Sequence, residues 1–152
     1  MNVKLPGPLF FYGVLMPGLV SGRMAELVAL LGAPWPASVS GRLFAVPDPR
    51  GHYPVMIAAE GDDRVSGTVL APGPLFAAGE LAELDAFEGF DPAEPIASDY
   101  VRERLHATLA DGLKLGADAY RWNRPVAADF IPIAHGNFAR YLAESGARPL
   151  PG

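Results

Sequence analysis

The chain contains no cysteine, an absence that removes disulfides, thiolate metal sites and cysteine nucleophiles together and leaves the redox compartment open. Histidine is scarce. His52, His106 and His135 stand too far apart for metal-ligand spacing, so no metal is assigned. Positive charge is also thin: 12 Lys and Arg face 17 Asp and Glu, for a formal net charge of -5. Without a basic run there is no electrostatic footprint for nucleic acid or an anionic membrane surface. No apolar run approaches the roughly 18 residues of a membrane span, and residues 1–8 lack the basic stretch and apolar core of a signal peptide. The expectation is a cytoplasmic protein with a small or neutral partner; oligomeric state is left open.

What is present is a folded, loop-rich chain. Half of its 152 residues are hydrophobic, and 17 Gly and 16 Pro punctuate it throughout, which suits one domain spanning 1–152. Residues 9–15 are apolar and aromatic without alternation, as in a strand buried inside a sheet. Ser21 is placed to cap a helix carrying Met24, Leu27, Val28 and Leu31, stopped by Gly32 and Pro34. Strands over 39–46, 55–60 and 65–71 read as an antiparallel meander, and a helix over 77–88 ends at Gly89.

Residues 100–109 alternate cleanly, Asp111-Gly112 signals a hairpin, and 113–122 is the returning strand. Asn137 heads a last helix with Phe138, Tyr141 and Leu142, closed by Gly146 and Pro149. Strands outnumber helices and most connections are too short for parallel crossovers. The fold class is therefore α+β: a small, largely antiparallel, strongly curved or barrel-like sheet with flanking helices.

Three sets of residues can carry chemistry. Tyr12, Gly13, Val14 and Leu15 form a glycine-bounded loop between a strand and a helix, where unpaired backbone N–H groups can hold a carboxylate or a developing oxyanion. Glu88 falls at the end of the second helix between Phe87 and Phe90, where the helix dipole and apolar neighbours favour a protonatable carboxyl. Asp85, one turn earlier, reads as a solvated or capping group. On the alternating strand, Arg102 and Arg104 share a face and Tyr100 stands at its start; an arginine there can grip a carboxylate bidentately. No His-Asp pair accompanies Ser21, so capping explains it better than nucleophilic attack.

These residues together resemble the gamma-glutamylcyclotransferase-like, or AIG2-like, proteins. Tyr12-Gly13-Val14-Leu15 and Pro17-Gly18 resemble the family's opening loop. Gly41-Arg42-Leu43-Phe44, Tyr53-Pro54 and Val65-Ser66-Gly67-Thr68-Val69 are similar to its next three motifs. Leu84-Asp85-Ala86-Phe87-Glu88-Gly89 resembles the motif that carries its catalytic glutamate, and Tyr100-Val101-Arg102 follows as its tyrosine-x-arginine strand. The resemblance implies a barrel-like α+β fold with loop and glutamate on one cavity. It also implies a cofactor-independent cyclisation of a gamma-glutamyl amide to 5-oxoproline and a free amine, with Glu88 as general acid and base and with Tyr12, Gly13, Val14, Leu15, Tyr100 and Arg102 on the substrate.

Two departures stand out: Val14 replaces a small hydroxyl residue, and Met16 stands where relatives often carry a basic one. If Met16 borders the leaving group, neutral gamma-glutamyl amines are preferred over glutathione. Two other classes remain: a non-catalytic small-ligand-binding module on the same fold, and an interaction domain, for which the tail at 122–125 and 149–151 offers little.

Overall fold

The computed structural model describes residues 6–59 and 61–151. Strand β1 (Leu9–Phe11) is buried at all three positions, since protein covers it on both faces. It is shorter than the predicted 9–15, because the chain turns away from the sheet at Tyr12. Helix α1 (Gly22–Val28) follows; Ser21 takes the N-cap position with extended backbone and makes no side-chain cap hydrogen bond.

The stretch predicted as one strand over 39–46 is two. β2 (Trp35–Ser40) and β3 (Arg42–Val46) are separated at Gly41 and belong to different sheets. β4 (Tyr53–Ile57) pairs with β3, whereas β5 (Arg64–Leu70) pairs with β2 and β1, so the expected meander is corrected to antiparallel pairings divided between two sheets. The predicted strand over 55–60 ends at Ile57, and its last position, Glu60, lies outside the described residues.

Helix α2 (Ala78–Phe87) leads to β6 (Tyr100–Leu109) and β7 (Lys114–Trp122), which pair along their length. Strand β8 (Ile131–Ile133), which periodicity did not suggest, adds to β3. In α3 (Phe138–Ser145), the Asn137 side chain accepts the Arg140 N–H.

The result is a closed barrel in the order β1-β5-β2-β6-β7 beside a three-stranded sheet in the order β4-β3-β8. Closure uses the parallel bridge Leu9 to Asp118, whose N–H donates to the Pro8 carbonyl at 2.9 Å; the other barrel pairings are antiparallel. Phe10, Leu27, Leu70, Leu84 and Phe138 are fully buried, so barrel and helices share one core. Burial on this scale supplies the main drive to fold. Among the described residues no helix is long and apolar enough to cross a membrane. The small sheet meets the barrel where β4 packs on β7, and the Tyr100 hydroxyl crosses that seam to donate to the Pro54 carbonyl at 2.8 Å.

Candidate active site

The seam between β4 and the barrel opens into a cavity of about 390 Å³, within the size range of small-molecule sites. Its inner wall is the end of β1. There the chain leaves the sheet, and a tight turn forms in which Met16 N–H donates to the Gly13 carbonyl at 3.0 Å. Among the described residues the N–H groups of Gly13, Val14 and Leu15 meet no acceptor. Gly13 is required by contact rather than by backbone angle, since a Cβ there would lie 2.3 Å from Pro54 Cγ. Tyr12 fastens the turn to the barrel by donating its hydroxyl to the Tyr120 carbonyl. Burial, then the nearby Glu88 carboxyl, push the Tyr12 phenol well above its ordinary pKa, so it remains a neutral donor.

Glu88 enters from α2. Left-handed Gly89 (φ 70°) ends that helix; its N–H reaches the Ala86 carbonyl at 3.1 Å and the Phe90 N–H reaches the Asp85 carbonyl at 2.8 Å. This double bond pattern is the glycine-terminated helix stop. It pins Glu88 as the C-cap, with its side chain on the cavity wall beside Phe87. Among the described residues the carboxyl has no hydrogen-bond or ion-pair partner. Burial, reinforced by the Asp85 charge, raises its pKa to about 8.

Asp85, expected to be solvated or capping, is 4% exposed. Arg102 grips it through Nε at 2.9 Å and Nη2 at 3.3 Å, and the Tyr120 hydroxyl donates to it at 2.7 Å. Arg102 Nη1 also bonds Asp118 at 3.0 Å, and Asp118 takes the Nε of Arg104 at 3.1 Å. Phe90 turns its ring to Arg102, 5.8 Å away, instead of toward the cavity.

Tyr12, Gly13, Val14, Leu15, Glu88 and Tyr100 thus line one cavity, while Arg102 lies off it with its guanidinium held by two carboxylates. Met16 is a core residue, 8% exposed and not on the cavity wall, so the expected charge effect on a leaving group has no route. Sequence reasoning missed the mouth. Tyr53, Trp122, Leu150 and Pro151 line the cavity, and the only signals were the Tyr53-Pro54 motif and a proline-rich tail considered for protein interaction. Among the described residues no three His, Asp or Glu side chains gather as metal ligands.

The arrangement can bind an anion or carbonyl oxygen on backbone donors and move a proton on a nearby carboxyl. YkqA from Bacillus subtilis is similar in fold, with a TM-score of 0.64 at 20% identity over 94% of this chain; the chain spans 43% of YkqA. A protein from Arabidopsis thaliana solved in solution gives 0.61 at 22% identity, covering 96% of this chain and 86% of that one. An aig2-like protein from Mus musculus gives 0.62 at 17% identity, covering 89% and 88%. At such identities the likeness is one of fold. No curated protein matches the chain in sequence. The family model described as gamma-glutamyl cyclotransferase, AIG2-like, matches residues 9–140, and the chain belongs to that family.

Proposed function

We propose that the protein is a cyclotransferase that turns a gamma-glutamyl amide into 5-oxoproline and a free amine. One observation carries the reading: Glu88, whose carboxyl has no partner among the described residues, opens on the same cavity as three backbone N–H groups that meet no acceptor among them. The substrate's α-amine nitrogen attacks its own γ-carbonyl carbon, the new C–N bond closes the ring, and the amide bond to the leaving amine breaks. The α-ammonium carries three protons and the lactam nitrogen keeps one. Glu88 takes the first, which frees the amine, and delivers it to the leaving nitrogen as the amide bond breaks. The second, lost as the C–N bond forms, departs on the released amine as its ammonium. An α-amine of pKa roughly 8 and a carboxyl at about 8 exchange the first proton with little cost in either direction, which is the match general acid–base catalysis requires.

The negative charge that builds on the carbonyl oxygen, or the substrate's α-carboxylate, is met by the N–H groups of Gly13, Val14 and Leu15. Tyr12 and Tyr100 stay neutral and shape the wall; burial raises the Tyr100 phenol well above its usual pKa too. Arg102 acts at one remove, by holding Asp85 beneath Glu88. Folding the substrate back on itself supplies the rest, because well-oriented intramolecular attack is worth an effective molarity of about 10⁵ M or more.

The test is a panel of gamma-glutamyl amides, gamma-glutamyl dipeptides and glutathione, with 5-oxoproline assayed for wild type and Glu88→Gln. Turnover by wild type and its loss in the variant support the reading. Tight 5-oxoproline binding with no turnover of any member would make the protein a binding module instead.

A further inference from the structure

We infer that the outer part of the cavity is a subsite for an uncharged aromatic leaving amine, so that gamma-glutamyl arylalkylamides are the preferred substrates. The inference rests on the cyclotransferase reading and extends it to the half of the substrate that reading leaves unspecified. Exposure orients the cavity: Tyr12, Val14 and Leu15 are 6%, 7% and 2% exposed, whereas Tyr53, Trp122 and Leu150 are half-buried and Pro151 is exposed. A γ-glutamyl group that meets Glu88 and the 13–15 amides fills the inner end, and its leaving amine must extend toward this mouth.

The mouth is built from rings and aliphatic carbon held in place before any ligand arrives. Trp122 stands edge-on to Tyr100 at 5.1 Å and to Phe130 at 5.9 Å, and its Nε1 donates to the Pro125 carbonyl at 3.3 Å. Leu150 and Pro151 are brought there by a short parallel pairing, His52 N–H to the Arg148 carbonyl at 2.7 Å and Leu150 N–H to the His52 carbonyl at 2.8 Å. Fixed surfaces of this kind lose little entropy on binding, and an aromatic ligand gains ring contacts beyond its buried area.

Charge at the rim is already committed. Arg50 places Nε and Nη2 on Asp48 at 3.0 and 3.1 Å, and Asp99 takes the Arg124 Nε at 3.0 Å. Neither pair offers a leaving group an uncompensated charge, so a carboxylate there would be desolvated for little return. The Tyr53 hydroxyl, with no hydrogen-bond partner among the described residues, is a neutral group. The preference therefore comes from the rim and owes nothing to Met16.

The experiment compares kcat/KM for γ-glutamyl-phenethylamide, γ-glutamyl-ethylamide and γ-glutamyl-phenylalanine by 5-oxoproline release. The phenethylamide is expected to lead the ethylamide by about tenfold or more, and γ-glutamyl-phenylalanine should not exceed it. Trp122→Ala and, should that variant fail to fold, Leu150→Ala should bring the phenethyl-to-ethyl ratio toward one. Equal rates for the two neutral amides, or a clear lead for the carboxylate, would overturn the subsite. Release from none of the three while another gamma-glutamyl compound of the wider panel turns over would also overturn the subsite. Release from no member at all would overturn the cyclotransferase reading, and the subsite is then judged by binding alone. In a Glu88→Gln, Trp35→Phe protein, Trp122 fluorescence should titrate with the phenethylamide at least about tenfold more tightly than with the ethylamide; equal affinities would end the proposal.

Discussion

Asp85 and Glu88 sit three residues apart at the end of the same helix, and they have opposite fates. Asp85 receives the Arg102 guanidinium and the Tyr120 hydroxyl, while Glu88 receives no hydrogen bond among the described residues. The helix does not make this difference; what faces it does. β6 and β7 present a cation and a phenol to one carboxylate, and the seam with the small sheet presents a cavity to the other. Asp85, held by these partners, then acts on its neighbour, because a negative charge beside a half-buried carboxyl favours the proton on that carboxyl. The pair teaches that a reactive carboxyl is made as much by withholding partners as by supplying them.

The sharpest way to break the comparison is Glu88→Gln, which under the proposed mechanism deletes proton transfer at nearly constant volume. Turnover is expected to fall by about 10²–10⁴-fold, read as 5-oxoproline formed. The same variant reports on stability. The folded pKa of Glu88, about 8, lies above its ordinary 4.5, so its contribution is full below about pH 4.5 and is lost as pH rises through 8. Glu88→Gln should therefore melt higher than wild type above pH 8, by roughly 1–2 kcal/mol after allowance for screening by cavity water, and show no such gain at pH 4. A wild-type advantage at pH 9 would refute the assigned pKa.

Gly13→Ala tests the opposite wall. Its methyl would sit 2.3 Å from Pro54 Cγ, and overpacking of this kind costs about 1–3 kcal/mol. Denaturant midpoints should fall, and kcat/KM with them, because the turn that presents the amides must move. Asp85→Asn sharpens the comparison itself. Losing the buried charge leaves Arg102 leaning on Asp118 alone, at a cost of about 1–3 kcal/mol. It should also move the acid limb of the kcat/KM profile to lower pH, since one of the two causes of the raised Glu88 pKa is gone; an unmoved limb would detach Asp85 from Glu88. Tyr12→Phe is the mildest change, removing one hydroxyl from the Tyr120 carbonyl, and about 1 kcal/mol of stability should go with it.

The parts of this molecule readable in advance are those decided locally. β6 occupies the predicted 100–109, and α2 lies within one residue at each end of 77–88, because alternation, interrupted only at Glu103, and a terminating glycine are properties of adjacent residues. The break at Gly41 is not of that kind. A single Gly41 inside a strand-like stretch cannot announce that its halves pair with β5 and with β4, and three-residue β8, containing Pro132, shows no period at all. At the site, the loop and Glu88 stood out by residue type. Asp85 did not, because its partners lie 17 and 35 residues away on other strands. Arg102 was noticed for the right chemistry, a grip on a carboxylate, while the carboxylate it holds belongs to the protein.

The switch of sheets at Gly41 also divides labour across the cavity. Glu88, the 12–15 turn and Tyr100 hang on the barrel and its helix, whereas Tyr53 and Pro54 ride on the β3–β4 hairpin, whose loop carries Asp48 and Arg50. Rebuilding that hairpin would alter what the mouth admits while leaving Glu88 and the 12–15 turn on their own scaffold. A chain organised this way can be readdressed to a new ligand by exchanging one short module, with the inner wall of the cavity inherited intact.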